Sequence, residues 1–153
     1  VEIDFLKRED VDEVTALEVA ASSRPWGRAV LVRDLAAPDG RVIYLGGRSR
    51  EGLLGFAVLG REGRTALLMN LVVVLEARRW GIGSQLLLAC SEVAKEWGAR
   101  QMRLHVREGN QPALALYFRF GFAPEGGREK VYRDGEAALT MSAPLPFRIE
   151  GEP

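Results

Sequence analysis

One run of the chain, Arg78-Arg79-Trp80-Gly81-Ile82-Gly83-Ser84, gathers two guanidinium groups and two glycines between an apolar stretch and a helical one. The chemistry open to such a turn is anion binding. Several backbone N–H groups converge on one spot, the start of the following helix adds partial positive charge, and the arginines add full charges. Phosphate is the anion that best suits those donors. A Cβ at Gly81 or Gly83 would hold a pyrophosphate off the backbone or forbid the turn's dihedrals. Two phosphate loops are excluded by spacing: no lysine follows Gly83, as a P-loop requires, and Leu86 stands where a dinucleotide fold needs its third glycine. The acidic residue expected about 20 positions further on in that fold is also missing, with Gln101 and Arg103 in the region instead.

The only histidine, His105, lies in a run of period-two alternation. Met102, Leu104 and Val106 take one face, and Gln101, Arg103, His105 and Arg107 take the other. The imidazole therefore faces solvent or a polar cleft. The single cysteine, Cys90, shares a helical face with Leu86, Leu87, Val93, Ala94 and Trp97, so it reads as a small buried apolar residue rather than a nucleophile. One cysteine also permits no internal disulfide and no multi-cysteine zinc site, and no metal is expected.

The elements that must position these groups follow from periodicity and punctuation. Residues 2–8 read as a first strand with Ile3, Phe5 and Leu6 as the inward candidates, and 10–21 as a helix carrying Val11, Val14, Leu17 and Val19 or Ala20. Pro25 predicts a second helix over 25–35, since proline suits a first helical position, and Trp26 sits at its start. A Pro-Asp-Gly turn then precedes strands at 41–45, 52–59 and 65–74, an antiparallel meander. The run 66–74 within the last is apolar on both faces apart from Asn70, the mark of a central strand covered on both sides. A helix over 85–97 stops at Gly98; a strand spans 100–107; Asn110 is a candidate N-cap for a helix over 113–120; and strands at 121–125 and 136–143 follow.

The 153 residues fit one domain, taken as 1–147 with a loose tail at 148–153, and an apolar fraction of 47% is ordinary for a globular protein. Basic and acidic side chains number 21 each, so no global field draws the chain to nucleic acid or an anionic membrane. No run is apolar enough to span a bilayer, and the first residues show no signal-peptide pattern. The expectation is a cytoplasmic protein.

Arg78, Gly81 and Gly83 match the pattern Gln/Arg-x-x-Gly-x-Gly/Ala, and about thirty residues on comes Asn110-x-x-Ala113-x-x-Leu116-Tyr117-x-x-x-Gly121-Phe122. Together these motifs resemble the GCN5-related N-acetyltransferase (GNAT) superfamily. Pro25-Trp26, the strand Leu68–Val73, the segment Arg128 through Tyr132, and Gly135-Glu136 to Met141 are similar to its RimI-type branch, which acetylates protein N-termini, including that of a small ribosomal protein. The resemblance implies an α/β fold with a central, mostly antiparallel mixed sheet of six to seven strands, splayed between the fourth and fifth, with about four flanking helices. It implies acetyl-CoA bound by Leu71, Val72 and Val73, by Arg78 through Ser84, and by Asn110. Trp26 and Tyr132 would line the acceptor groove, and the chain would act as monomer or homodimer. Where the branch often has Asp-Pro this chain has Val74-Leu75, and Ala137 replaces a frequent aspartate.

Attack of an amine on a thioester needs an uncharged amine, a donor to the developing oxyanion and a proton for the departing thiolate. The resemblance gives Tyr117 the last role. A phenol of pKa about 10 can serve a thiolate of about 8.5 only in a shared transition state, so its orientation matters more than its acidity. At the position where the branch has a glutamate base stands His105, a competent base at neutral pH and thus the candidate here. Near pH 7.4 an α-amine is roughly a quarter neutral and a lysine about one part in a thousand, which favours a protein N-terminus as acceptor. Two alternatives remain: a small-molecule amine as acceptor, and a catalytically silent acetyl-CoA-binding or protein-interaction module.

Overall fold

A computed structural model describes residues 1–22, 25–36, 41–126, 130–131 and 135–150. Its residues cluster into two compact units, the first comprising Val1–Arg61 with Met69–Cys90 and the second Glu62–Leu68 with Ser91–Pro153. In the first unit come β1 (Glu2–Phe5), a 3-10 turn (Arg8–Asp10), α1 (Val11–Ala21), α2 (Arg28–Ala36), β2 (Val42–Ser49) and β3 (Gly52–Glu62). The last residue of β3, Glu62, belongs to the second unit, and β4 (Thr65–Val73) and α3 (Ile82–Glu96) contribute to both. The second holds β5 (Gln101–Arg107), α4 (Gln111–Arg119), the two-residue strands β6 (Ala123–Pro124) and β7 (Lys130–Val131), and β8 (Ala137–Pro144). The expected mixed α/β class and four helices are present, with six longer strands and two of two residues among the described residues.

Strand order in the first unit is β1-β2-β3-β4, with β1, β2 and β3 antiparallel. In the second it is β4-β5-β8-β6, with β7 also on β8. The β4–β5 ladder is parallel. It runs from Thr65 opposite Gln101 to Leu68 opposite Leu104, the first four residues of β4.

Several boundaries depart from the sequence reading for local reasons. Helix α2 begins at Arg28 rather than Pro25, because Gly27 takes φ +93° and its carbonyl accepts from Leu31 N–H at 3.3 Å. Gly46 and Gly47 lie inside β2 rather than in a linker. A Cβ at Gly46 would come within 2.6 Å of the Leu6 side chain, so close packing explains that glycine. Phe5 faces outward and Leu6 takes the core position. Met69 is 47% exposed, so β4 is not covered on both sides along its whole length. In the second unit Glu150 N–H donates to the Arg119 carbonyl at 2.7 Å.

The core of the first unit is built by Val14, Leu17, Leu31, Tyr44, Phe56, Val58 and Val72, with Trp26 packed half-buried against it. Glu13 ties α1 to the meander, accepting from the Arg48 guanidinium and from Leu53 N–H. In the second unit Tyr117, Phe120, Phe122 and Phe147 form an aromatic cluster with centroid separations of 5.5–5.6 Å. Edge and tilted contacts of this kind are the favoured geometry for aromatic rings.

Candidate active site

The first unit carries the turn with anion chemistry. The end of β4 is set by β3: Val74 N–H donates to the Leu54 carbonyl at 2.8 Å, and a Cβ at Gly55 would lie 2.8 Å from the Val72 carbonyl, so only glycine allows this approach. Leu71 is half-buried with its N–H bonded to Asn70 Oδ1 at 3.0 Å; Val72 is buried and Val73 half-buried. The chain then winds through a 3-10 turn over Leu75–Trp80 that buries Ala77 and leaves Leu75 and Trp80 exposed. Gly81 ends it in the left-handed region, φ +77°. No atom lies within 4 Å of a Cβ built there, so glycine is required by the dihedral and not by crowding.

Helix α3 starts at Ile82, which is fully buried and anchors it, and Gln85 N–H closes the first bond onto the Gly81 carbonyl. The N–H groups of Ile82, Gly83 and Ser84 therefore have no intrahelical carbonyl, and no acidic side chain stands in the first helical turn. That arrangement suits a pyrophosphate and fits the acetyl-CoA expectation. Arg78 Nε donates to the Val73 carbonyl at 3.3 Å, so the side chain braces the turn onto β4. The backbone of Arg79 belongs to the 3-10 turn. Tyr132 lies outside the described residues.

The second unit carries the groups with proton chemistry. The alternation of β5 is as expected, with Met102, Leu104 and Val106 buried and His105 exposed. His105 sits opposite Thr140 of β8, and its Nδ1 is 2.9 Å from Thr140 Oγ1. The flanking arginines are engaged: Arg103 Nε donates to Glu125 Oε1 at 2.9 Å and Arg107 to Glu136 Oε1 at 2.8 Å. The Arg103 contact, helped by Ser142 and the charge of His105, holds the Glu125 carboxyl below the usual carboxylate range, against the smaller pull of burial. Tyr117 is buried on α4, its ring edge-on to Phe122 at 5.6 Å. Asn110 is the N-cap of α4, as expected: its Oδ1 accepts from Ala113 N–H at 3.3 Å. Cys90 is buried and its thiol pushed up to about 12, an inert group as expected.

Sequence reasoning passed over Glu18 and Thr140. Glu18 is fully buried. Its signal is present in the sequence, since 11, 14, 18 and 21 fall on one helical stripe; Val19 and Ala20, the expected members of that face, are both exposed. Thr140 had no comparable signal, because cross-strand register between β5 and β8 is not written in either strand alone.

A chain with this mixed sheet, this glycine turn ahead of a long helix, and this β5–α4 unit belongs to the acetyltransferase (GNAT) family, whose profile matches residues 10–122. It is an N-acetyltransferase, and the acyl donor of the family is acetyl-CoA. Among its relatives, a putative [ribosomal protein bS18]-alanine N-acetyltransferase of Bacillus subtilis is 31% identical, with 89% of this chain and 90% of that protein aligned. The N-alpha-acetyltransferase RimI of Mycobacterium tuberculosis is 35% identical over 92% of this chain and 90% of its own length. The crystal structure of the ribosomal-protein-S18-alanine N-acetyltransferase from Escherichia coli shares the fold, with TM-score 0.82 over 99% of this chain and 98% of that one at 24% identity. Among the described residues no helix is long and apolar enough to cross a membrane.

Proposed function

We propose that this enzyme transfers the acetyl group of acetyl-CoA to the N-terminal α-amine of a protein, with a ribosomal protein among the candidate acceptors. The observation that carries this reading is the near full-length similarity to two relatives named for N-terminal acetylation. The α-amine argument supports it independently, because at neutral pH such an amine is neutral often enough to need only modest help from a base.

In this reading the N–H groups at the start of α3, the Gly81 turn and Arg78 hold the pyrophosphate, and the end of β4 at Leu71–Val73 takes the pantetheine arm. The acceptor nitrogen forms its bond to the acetyl carbon as the carbon–sulfur bond breaks. His105 accepts the proton the amine gives up, directly or through a water, and Tyr117 supplies one to the departing thiolate. The exposed imidazole, braced by Thr140, suits the first task. Packing of the Tyr117 ring on Phe122 suits the second, which depends on a fixed orientation. Trp26 and Tyr132 line the acceptor groove. The enzyme works in the cytoplasm as a monomer or homodimer, with no nucleic-acid or membrane partner.

The test is release of free CoA thiol from acetyl-CoA with three acceptor sets: peptides with a free N-terminus, N-blocked peptides containing lysine, and polyamines. Turnover confined to the first set is the expected result. Turnover with polyamines alone would replace the protein acceptor by a small amine.

A further inference from the structure

The Trp26–Gly27 peptide is tied to α1 by a carboxyl group that the fold encloses completely. Glu18, in the second half of α1, has no exposed surface, and Val14 and Leu17 beside it enter the core of the first unit. Its Oε1 accepts the Gly27 N–H at 3.1 Å, whereas Oε2 has no hydrogen-bond partner among the described residues. The neighbouring phenol of Tyr44 does not supply one, because it donates to Asp34 Oδ2 at 2.8 Å. Enclosing a carboxylate with one oxygen unmatched opposes folding, and an apolar side chain of similar length would serve the packing better.

What this carboxylate holds explains its presence. The Gly27 N–H belongs to the peptide unit that follows Trp26, so the bond fixes the plane of the backbone at the indole. On the other side the Gly27 carbonyl is fixed by Leu31 N–H of α2, and φ of +93° reserves the position for glycine. The peptide units on both sides of Gly27 are therefore clamped, and the Trp26 ring rests half-buried against the core that surrounds Glu18.

We propose that Glu18 is a positioning residue for acceptor binding: by clamping the Trp26–Gly27 peptide it presents the Trp26 indole as a rigid wall to the acceptor peptide. This rests on the reading of Trp26 as part of the acceptor groove. Glu18 itself touches neither substrate; it acts through the Trp26–Gly27 peptide.

The experiment compares the parent with Glu18→Gln, which keeps an acceptor oxygen, with Glu18→Leu, which keeps only bulk, and with Trp26→Ala. Acrylamide quenching of Trp26 fluorescence is read in a Trp80→Phe/Trp97→Phe background, and KM for peptide, KM for acetyl-CoA and Tm are read in the native background. In Glu18→Leu the expectation is stronger quenching and a peptide KM raised roughly tenfold, as in Trp26→Ala, with acetyl-CoA KM unchanged and Tm no lower than the parent. Glu18→Gln should restore most of both. Unchanged quenching in Glu18→Leu would overturn the clamp. A fall in Tm with both KM values rising together would overturn it in favour of a purely structural carboxylate. Increased quenching with peptide KM unmoved in Glu18→Leu and Trp26→Ala alike would remove Trp26 from the acceptor groove and Glu18 from acceptor binding, leaving the acetyltransferase reading intact.

Discussion

The glycine turn of the first unit and the β5–β8 face of the second are built by different means for the roles proposed for them. At the turn the donors are backbone N–H groups, present in any sequence that adopts the conformation; what the sequence must supply is permission, through Gly81 at φ +77°, and an anchor, through buried Ile82. On the β5–β8 face the working atoms are side chains, each held by a partner on another strand or loop: His105 by Thr140, Arg103 by Glu125, Arg107 by Glu136. Damage at the turn should therefore appear as weaker acetyl-CoA binding. On the side-chain face, and at Tyr117, it should appear in kcat and in pH dependence.

The largest effect expected is at Tyr117. Tyr117→Phe keeps the ring packed on Phe122 and loses only the hydroxyl, so kcat should fall about a hundredfold with acetyl-CoA KM and Tm little changed. Next comes the turn. Gly81→Ala forces an L-residue into the left-handed region at a cost of about 1–2 kcal/mol. It should raise acetyl-CoA KM about tenfold while lowering Tm by a few degrees. Gly63→Ala, at φ +58° in the β3–β4 turn with nothing within 4 Å of its Cβ, is the control. It should lower Tm similarly and leave KM alone. If both glycines affected only Tm, the turn would lose its distinction as a binding element.

The fold was legible where local chemistry decides. Period-two alternation placed His105 outside and Met102 inside, and Asn110 was recognised as a cap from its place before Pro112 and an apolar helical run. It was not legible where distant residues decide. The start of α2 moved because Gly27, clamped by a glutamate nine residues earlier, outweighed the preference of Pro25 for a first helical position. Gly46 and Gly47 looked like a linker because glycine in a strand and glycine in a loop are the same letter; only contact with Leu6 and Leu53 separates them at Gly46. The two motifs identified the turn and the tyrosine helix. The partner of His105 required the register of β8.

Smaller effects sharpen the same contrast. The Glu125 carboxyl, lowered by Arg103, contributes stability that is complete above its unfolded value near 4.5 and lost as pH falls through the lower folded value. Arg103→Gln should lower the urea midpoint slightly near neutrality and make it less sensitive to acid below about pH 4.5, where parent and variant converge. Smallest of all, Cys90→Ala should leave turnover unchanged, and the native thiol should react with a thiol reagent only on unfolding, since burial pushes it up to about 12.

The central claim, that His105 takes the proton of an N-terminal amine, is tested most directly by the pH dependence of kcat/KM for a peptide with a free N-terminus. The peptide's own amine must lose a proton, and so must the imidazole. Below about pH 6.5 the logarithm of kcat/KM should therefore rise with a slope of about two in the parent and about one in His105→Ala. His105→Glu, returning the carboxylate of the related branch, should recover rate while keeping the slope near one down to about pH 5. A slope of one in the parent, or a slope of two persisting in His105→Ala, would contradict the account and remove His105 from the reaction.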